Sequence, residues 1–293
     1  SGAASAFMSP TGSAGALPIL CVPRQLAGIS LYRDLHAFYA AKDQLFPERT
    51  SGLIFFENMM GIFFSGRDLN EEIFGETCPE VRLVAAAQQY DKALGAPRVR
   101  IPAFALVLHM KHADEFARVA EDAWQKAIGL TAITRGQQAE PGLIIDREDY
   151  HGVRFSFATN ARGKNEDTTH LPSRFNFSPA LAHVGDSFVL SSTVGLARDL
   201  IDALQKTAKT VQPLAGTHTL VSADGVQLGN VLKANREALI ERNMIEKGHV
   251  RDQAEHEVDA LTAIARLIGS ATLTGQARDG LSRVELGVNL NLP

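Results

Sequence analysis

The pattern closest to a metal site is "HVRDQAEHEVDA", where His249, Asp252, His256 and Asp259 follow one another at steps of three, four and three residues. All four are ligand types, and at about 100° per residue they share an arc of about 80° on one helix face. The same wheel places Val250, Ala254, Val258, Leu261, Ala265 and Ile268 on the opposite side. The apolar side of an amphipathic helix faces the core, so the His/Asp row is predicted to face water. His256-Glu257 also fails the zincin pattern HExxH, because Ala260 cannot ligate.

Other catalytic patterns fail on particular residues. "RGKN" at 162–165 has the Gly-Lys of a phosphate loop without its earlier Gly or the following Ser/Thr that would hold magnesium. "GDSFV" at 185–189 lacks the closing Gly of a nucleophile elbow. "ADGVQLGN" spaces Gly225 and Gly229 four apart, which is not a dinucleotide loop. His109, His112, His151, His170 and His183 are scattered, and Glu71-Glu72 read as a wet helix face. Ser191-Ser192-Thr193 stand where a strand passes into a helix, whose free backbone N–H groups need acceptors. Capping explains them; anion binding at that helix start is the alternative. No catalytic, binding or metal residue is assigned from these patterns, and no cofactor is expected.

The elements that carry these residues follow from periodicity. "LPILCVP" reads as a strand, and the next run as a helix capped by Ser30, with Leu31, Leu35, Phe38 and Leu45 on one stripe and Pro47 at its end. "GLIFFENMMGIFF" is short and apolar, so its four Phe between 55 and 64 are predicted to be core rather than the wall of a lipid pocket, with a short helix over Asp68–Phe74. "VRLVAAAQQY" and "IPAFALVLHM" are strands. They lead into a helix with Phe116, Val119, Ala120, Ala123 and Ala127 on its buried stripe and Trp124 beside it. A hairpin follows in "GLIIDREDYHGVRFSFAT", then a polar loop at 160–173. "RFNFSP", "ALAHV" and "SFVLSS" read as strands, the last two around a Gly185-Asp186 turn, followed by a helix and the strand "HTLVSA". Two long helices, 226–247 and 250–268, flank Gly248, and a final hairpin turns at Asp279-Gly280 with Val284, Leu286, Val288, Leu290 and Leu292 alternating.

"FALVLHMKHADEFARVAEDAW" and "SFVLSSTVGLARDLIDALQK" share one order of strand, polar connection and amphipathic helix. The fold class predicted is α+β: two tandem modules of mostly antiparallel sheet with packed helices, plus a long helical hairpin near the C-terminus. The division is a flexible tail at 1–20, a first module at 21–160, a linker or mobile loop at 161–173, and a second module at 174–293 containing the hairpin 226–268. The size, 293 residues at 45% hydrophobic and 21% charged, suits a globular protein. A net charge of −4 without a dense basic block argues against nucleic acid as a partner. No stretch is apolar for long enough to span a membrane, and Cys21 and Cys78 are too few for a disulfide scaffold, leaving one bridge or two thiols open.

The succession "CVPRQLAGISLYRDL", "RLVAAAQQYD", "IPAFALVLHMKHADEFARVAEDAW", "PALAHVGDSFVLSSTVGLARDLIDAL" and "DGLSRVELGVNL" resembles a family of uncharacterised bacterial proteins generally predicted to be extracytoplasmic. The resemblance implies a place in the periplasm or cell envelope, with the cytoplasm as alternative, and a non-enzymatic role. The expectation is a non-catalytic binding or structural protein with a protein partner or a small apolar ligand, and a homo-oligomer is left open. The apolar residues of the first long helix, Ile240 and Met244 among them, mark a contact surface or core. A hydrolase or metal-dependent enzyme whose site is assembled only by the fold is the alternative.

Overall fold

A computed structural model describes residues 8–46, 51–90, 95–161, 171–208, 210–278 and 281–291. His170, the 162–165 stretch, the Asp279-Gly280 turn, Pro47 and Leu292 lie outside the described residues, as does most of the loop expected at 161–173. The strands are β1 (Gln25–Tyr32), β2 (Thr77–Ala86), β3 (Ala103–Met110), β4 (Leu143–Tyr150), β5 (Val153–Asn160), β6 (Ala180–Val184), β7 (Ser187–Ser191), β8 (Thr217–Asp224), β9 (Ile268–Arg278) and β10 (Leu281–Leu290). The helices are α1 (Leu35–Ala40), α2 (Lys42–Leu45), α3 (Ser51–Phe63), α4 (Ala113–Gln137), α5 (Val194–Thr207), α6 (Gly225–Ala234), α7 (Arg236–Lys247) and α8 (Arg251–Leu267).

All ten strands join one antiparallel sheet in the order β10-β9-β8-β1-β2-β3-β7-β6-β5-β4. The fold is therefore mixed α+β, with strands from both expected modules in a single sheet. Outward from the β3/β7 seam, β3-β2-β1-β8 run one way and β7-β6-β5-β4 the other. Apart from the helical insertion α1–α3 between β1 and β2, the run β1-β2-β3-α4-β4 has the same order as β5-β6-β7-α5-β8, and each lends its last strand to the first strand of the other.

Period-two alternation divides the sheet's side chains between two faces. On one face Val84, Ala105, Val107, Phe155, Ala180, Ala182 and Val189 meet Leu196, Ala197, Leu200 and Ile201 of α5, with Leu20 and Val22 from the N-terminal segment. The alanines leave room for Leu200 and Ile201, which are wholly buried. On the other face Met110, Ala158, Leu181 and Phe188 pack against Trp124 and Ile128 of α4, so Trp124 is a core residue.

Thr193 caps α5 by accepting from the Leu196 N–H at 3.2 Å, and Ser192 Oγ accepts from the Phe104 N–H at 2.9 Å. The hydroxyl cluster that opens α5 is thus used in capping and in tying the helix start to the sheet.

Several expectations need correction. "LPILCVP" forms no strand, although Leu17, Leu20 and Val22 are buried. Ser30 lies inside β1 and its hydroxyl donates to the Leu17 carbonyl; Asp34 caps α1 instead, accepting from the Ala37 N–H. The four Phe at 55–64 are not core: "GLIFFENMMGIFF" folds as helix α3, in which no residue is buried. Met60 and Phe64 touch the small cluster around Tyr39, Leu69 and Ile73, while Phe55 and Ile62 face outward, because the run holds more apolar residues than one contact stripe can cover. Asp68 caps the turn over Leu69–Ile73 that follows. "RFNFSP" begins as a short helical turn, Ser173–Asn176, rather than a strand.

The helix expected at 226–247 is broken at Asn235. Its amide donates to the Arg100 and Val231 carbonyls and its Oδ1 accepts from the Arg100 N–H, which ends α6 and starts α7. A Cβ on Gly225 would stand 1.6 Å from the Ile268 carbonyl oxygen, so only glycine permits α6 to begin so close to the end of α8. Ile240 is wholly buried against Ala254 and Val258, with Met244 beside them, so Ile240 offers no contact surface. The alternating residues of β10 are exposed throughout, at the outermost position of the sheet.

Candidate functional site

Asp252 and His256 face water, Asp259 is engaged by Arg236 at 2.8 Å, and His249 turns toward Glu257 at 3.2 Å. The structure does not gather these four side chains. The scattered histidines meet different carboxylates: His112 with Glu76, His151 with Asp202, His183 with Asp114. Cys21 and Cys78 are both free thiols.

A cleft forms at each end of α5. At its N-terminal end a cleft of about 580 Å3 is lined by Arg24, Tyr90, Tyr150, Arg198 and Asp199 among others. Its charged groups are paired. Arg24 pairs with Asp199 at 3.0 Å, Arg198 holds Glu148 through two bonds, and Tyr150 donates to Asp202. Beneath them the buried Asn176 accepts from Tyr90 and the Ile101 N–H and donates to the Val99 and Ser173 carbonyls.

The second cleft, about 660 Å3, lies under the C-terminal end of α5. Leu17, Val184, Leu204 and Val211 supply apolar wall, and Arg82, His109, Arg154 and Asp186 supply charge. On β2, Arg82 has the parity of Val84 and Ala86, so the alternation that builds the core aims the guanidinium to the same side. It lies between Ser30 of β1 and Val107 of β3. Arg82 is 4% exposed and makes no hydrogen bond or ion pair with any described residue. Burial pushes it down from 12.5 to about 10, with Glu80 acting the other way, so it remains charged at neutral pH. A buried guanidinium whose Nε has no acceptor is costly, because an N–H donor has left water without a replacement.

Two residues along the same strand stands Glu80, and beyond it Cys78. Their ligand atoms and that of His109 lie within 4.8 Å of one another, and the three side chains are half-buried. His109 Nδ1 is 3.5 Å from Glu80 Oε2, an ion-pair distance, yet it makes no well-formed hydrogen bond. The Cys78 sulfur and then the Glu80 carboxylate push His109 up from 6.5 to about 10, against burial.

In the sequence Cys78 stands out only as half of a cysteine pair and His109 as one of several scattered histidines, and no pattern marks Glu80 or Arg82. The one available signal was parity: "CPEVRLVAA" carries Cys78, Glu80 and Arg82 on the same alternation as Val84 and Ala86.

No family model and no curated protein matches the chain. A solved structure titled "Structure of crystal form I of TP0453" is similar over 98% of this chain and 81% of its own, at 9% identity and a TM-score of 0.29. A similarity that weak carries no argument about fold or function. Among the described residues no helix is long and apolar enough to cross a membrane.

Proposed function

We propose that the protein is a non-catalytic binding protein for a small organic acid held in the cleft under the C-terminal end of α5. The observation that carries this reading is Arg82, buried, charged and without an acceptor in the wall of a cleft of ligand size. A carboxylate or phosphate group would supply the missing acceptors through the planar fork of the guanidinium. Leu17, Val184, Leu204 and Val211 would take the apolar part of the ligand. The envelope location implied by the sequence resemblance fits such a carrier and is part of the proposal.

Thermal-shift measurement against a panel of carboxylates and phosphates of increasing chain length tests it. A carboxylate or phosphate should raise the melting temperature of the wild type, more so with a short apolar chain, and should leave Arg82→Met unmoved. Equal shifts in both proteins, or none with any acid in the panel, would refute it. The second reading, a metal-dependent hydrolase, draws on the Cys78, Glu80 and His109 group; turnover of an ester or phosphate abolished by His109→Ala would favour it.

A further inference from the structure

We propose that Cys78, Glu80 and His109 bind one divalent transition-metal ion of the zinc class, at the edge of the cleft that holds Arg82. Four observations converge on it. The three ligand atoms already lie within 4.8 Å of one another. The separation of His109 Nδ1 from Glu80 Oε2, 3.5 Å, is close to the edge of about 3.3–3.4 Å that bonds of about 2.0–2.1 Å subtend at a tetrahedral ion. Nδ1 is buried and makes no well-formed hydrogen bond, so nothing in the chain holds it away from an ion between the three groups.

The backbone supplies the fourth. Thr77 pairs with Met110 and Val81 with Leu108, so residues 78–80 of β2 stand opposite His109 alone. Pro79 occupies this bulge, where it has no N–H to offer the ladder, and its carbonyl accepts from the Arg33 N–H at 2.7 Å. The bulge is what directs Cys78 and Glu80 together onto the His109 ring.

The donor set selects the ion. Thiolate and imidazole disfavour magnesium and calcium, which take oxygen ligands, and suit zinc or cobalt. One thiolate and one carboxylate balance the two charges of the ion, so Arg82 on the same strand faces a neutral centre. On binding, the Cys78 thiol and the His109 imidazolium each give a proton to solvent, and the sulfur and Nδ1 become ligands. Three protein ligands leave one tetrahedral position for water.

The test uses the full chain, stripped with chelator and titrated with Co2+ alone. One equivalent should bind with intense tetrahedral visible bands and a thiolate-to-cobalt charge-transfer band in the near ultraviolet. Cys78→Ala should lose the charge-transfer band, and His109→Ala should weaken binding. Cys21→Ser should keep both signals. A thiolate band that survives Cys78→Ala, or no cobalt bound by the wild type, would overturn the proposal. Because the variants could unfold, alkylation of the wild type is read in parallel. Zn2+ should protect Cys78 and leave Cys21 reactive, and equal labelling of Cys78 with and without Zn2+ would also overturn it.

Discussion

The two ends of α5 present clefts of similar size and opposite character. At the N-terminal end Arg24, Arg198, Tyr150 and Asn176 all have partners from the chain itself. At the C-terminal end Arg82 has none, although it is the more deeply buried arginine. One helix and one sheet build both, so packing does not explain the difference. A polar group that the fold satisfies serves the fold. One buried and left unsatisfied costs stability in the free protein, and its presence is accounted for by something that binds there.

Substitutions can break or sharpen this contrast. The largest effect is expected at the shared support: Leu200→Ala, in the middle of α5, should cost about 2–5 kcal/mol by chemical denaturation and loosen both ends together. Asn176→Ala should cost about 3 kcal/mol, because it strands Tyr90, the Ile101 N–H and two carbonyls in a buried place. Arg82→Met should move the other way, raising the stability of the ligand-free protein by about 1–3 kcal/mol through removal of an unmatched buried charge. Destabilisation by Arg82→Met of the size seen for Asn176→Ala would erase the contrast. The smallest effect should come from Asp199→Asn, which breaks a partly exposed pair with Arg24 and should change stability by about 0–1 kcal/mol.

What could be read from the sequence was local. The Gly185-Asp186 turn, the cap at Thr193 and the buried Trp124 depend on residues a few positions apart, and each lies where its own neighbours put it. β1 was hidden, since "QLAGISLY" has weak alternation and is held by β2 and β8, both distant in the chain. α3 was misread because a short apolar run looks the same whether core or exposed helix. The break at Asn235 depends on Arg100, which no local pattern reveals. The site was the least legible part. Cys78, Glu80 and Arg82 share a strand, but only the pairing of β2 with β3 across the bulge brings His109 to them. Only the roof of α5 and the N-terminal segment turns Arg82 from an ordinary strand residue into a buried charge.

The central claim is that the unmatched guanidinium of Arg82 is a receptor for an anion. Calorimetric titration of octanoate into the wild type and Arg82→Met, with folding of both verified by circular dichroism, tests it most directly. Saturable binding at one site in the wild type, lost in Arg82→Met while that variant melts no lower than the wild type, is the predicted result. Octanoate bound equally by both proteins, or an Arg82→Met protein that melts well below the wild type, would contradict it.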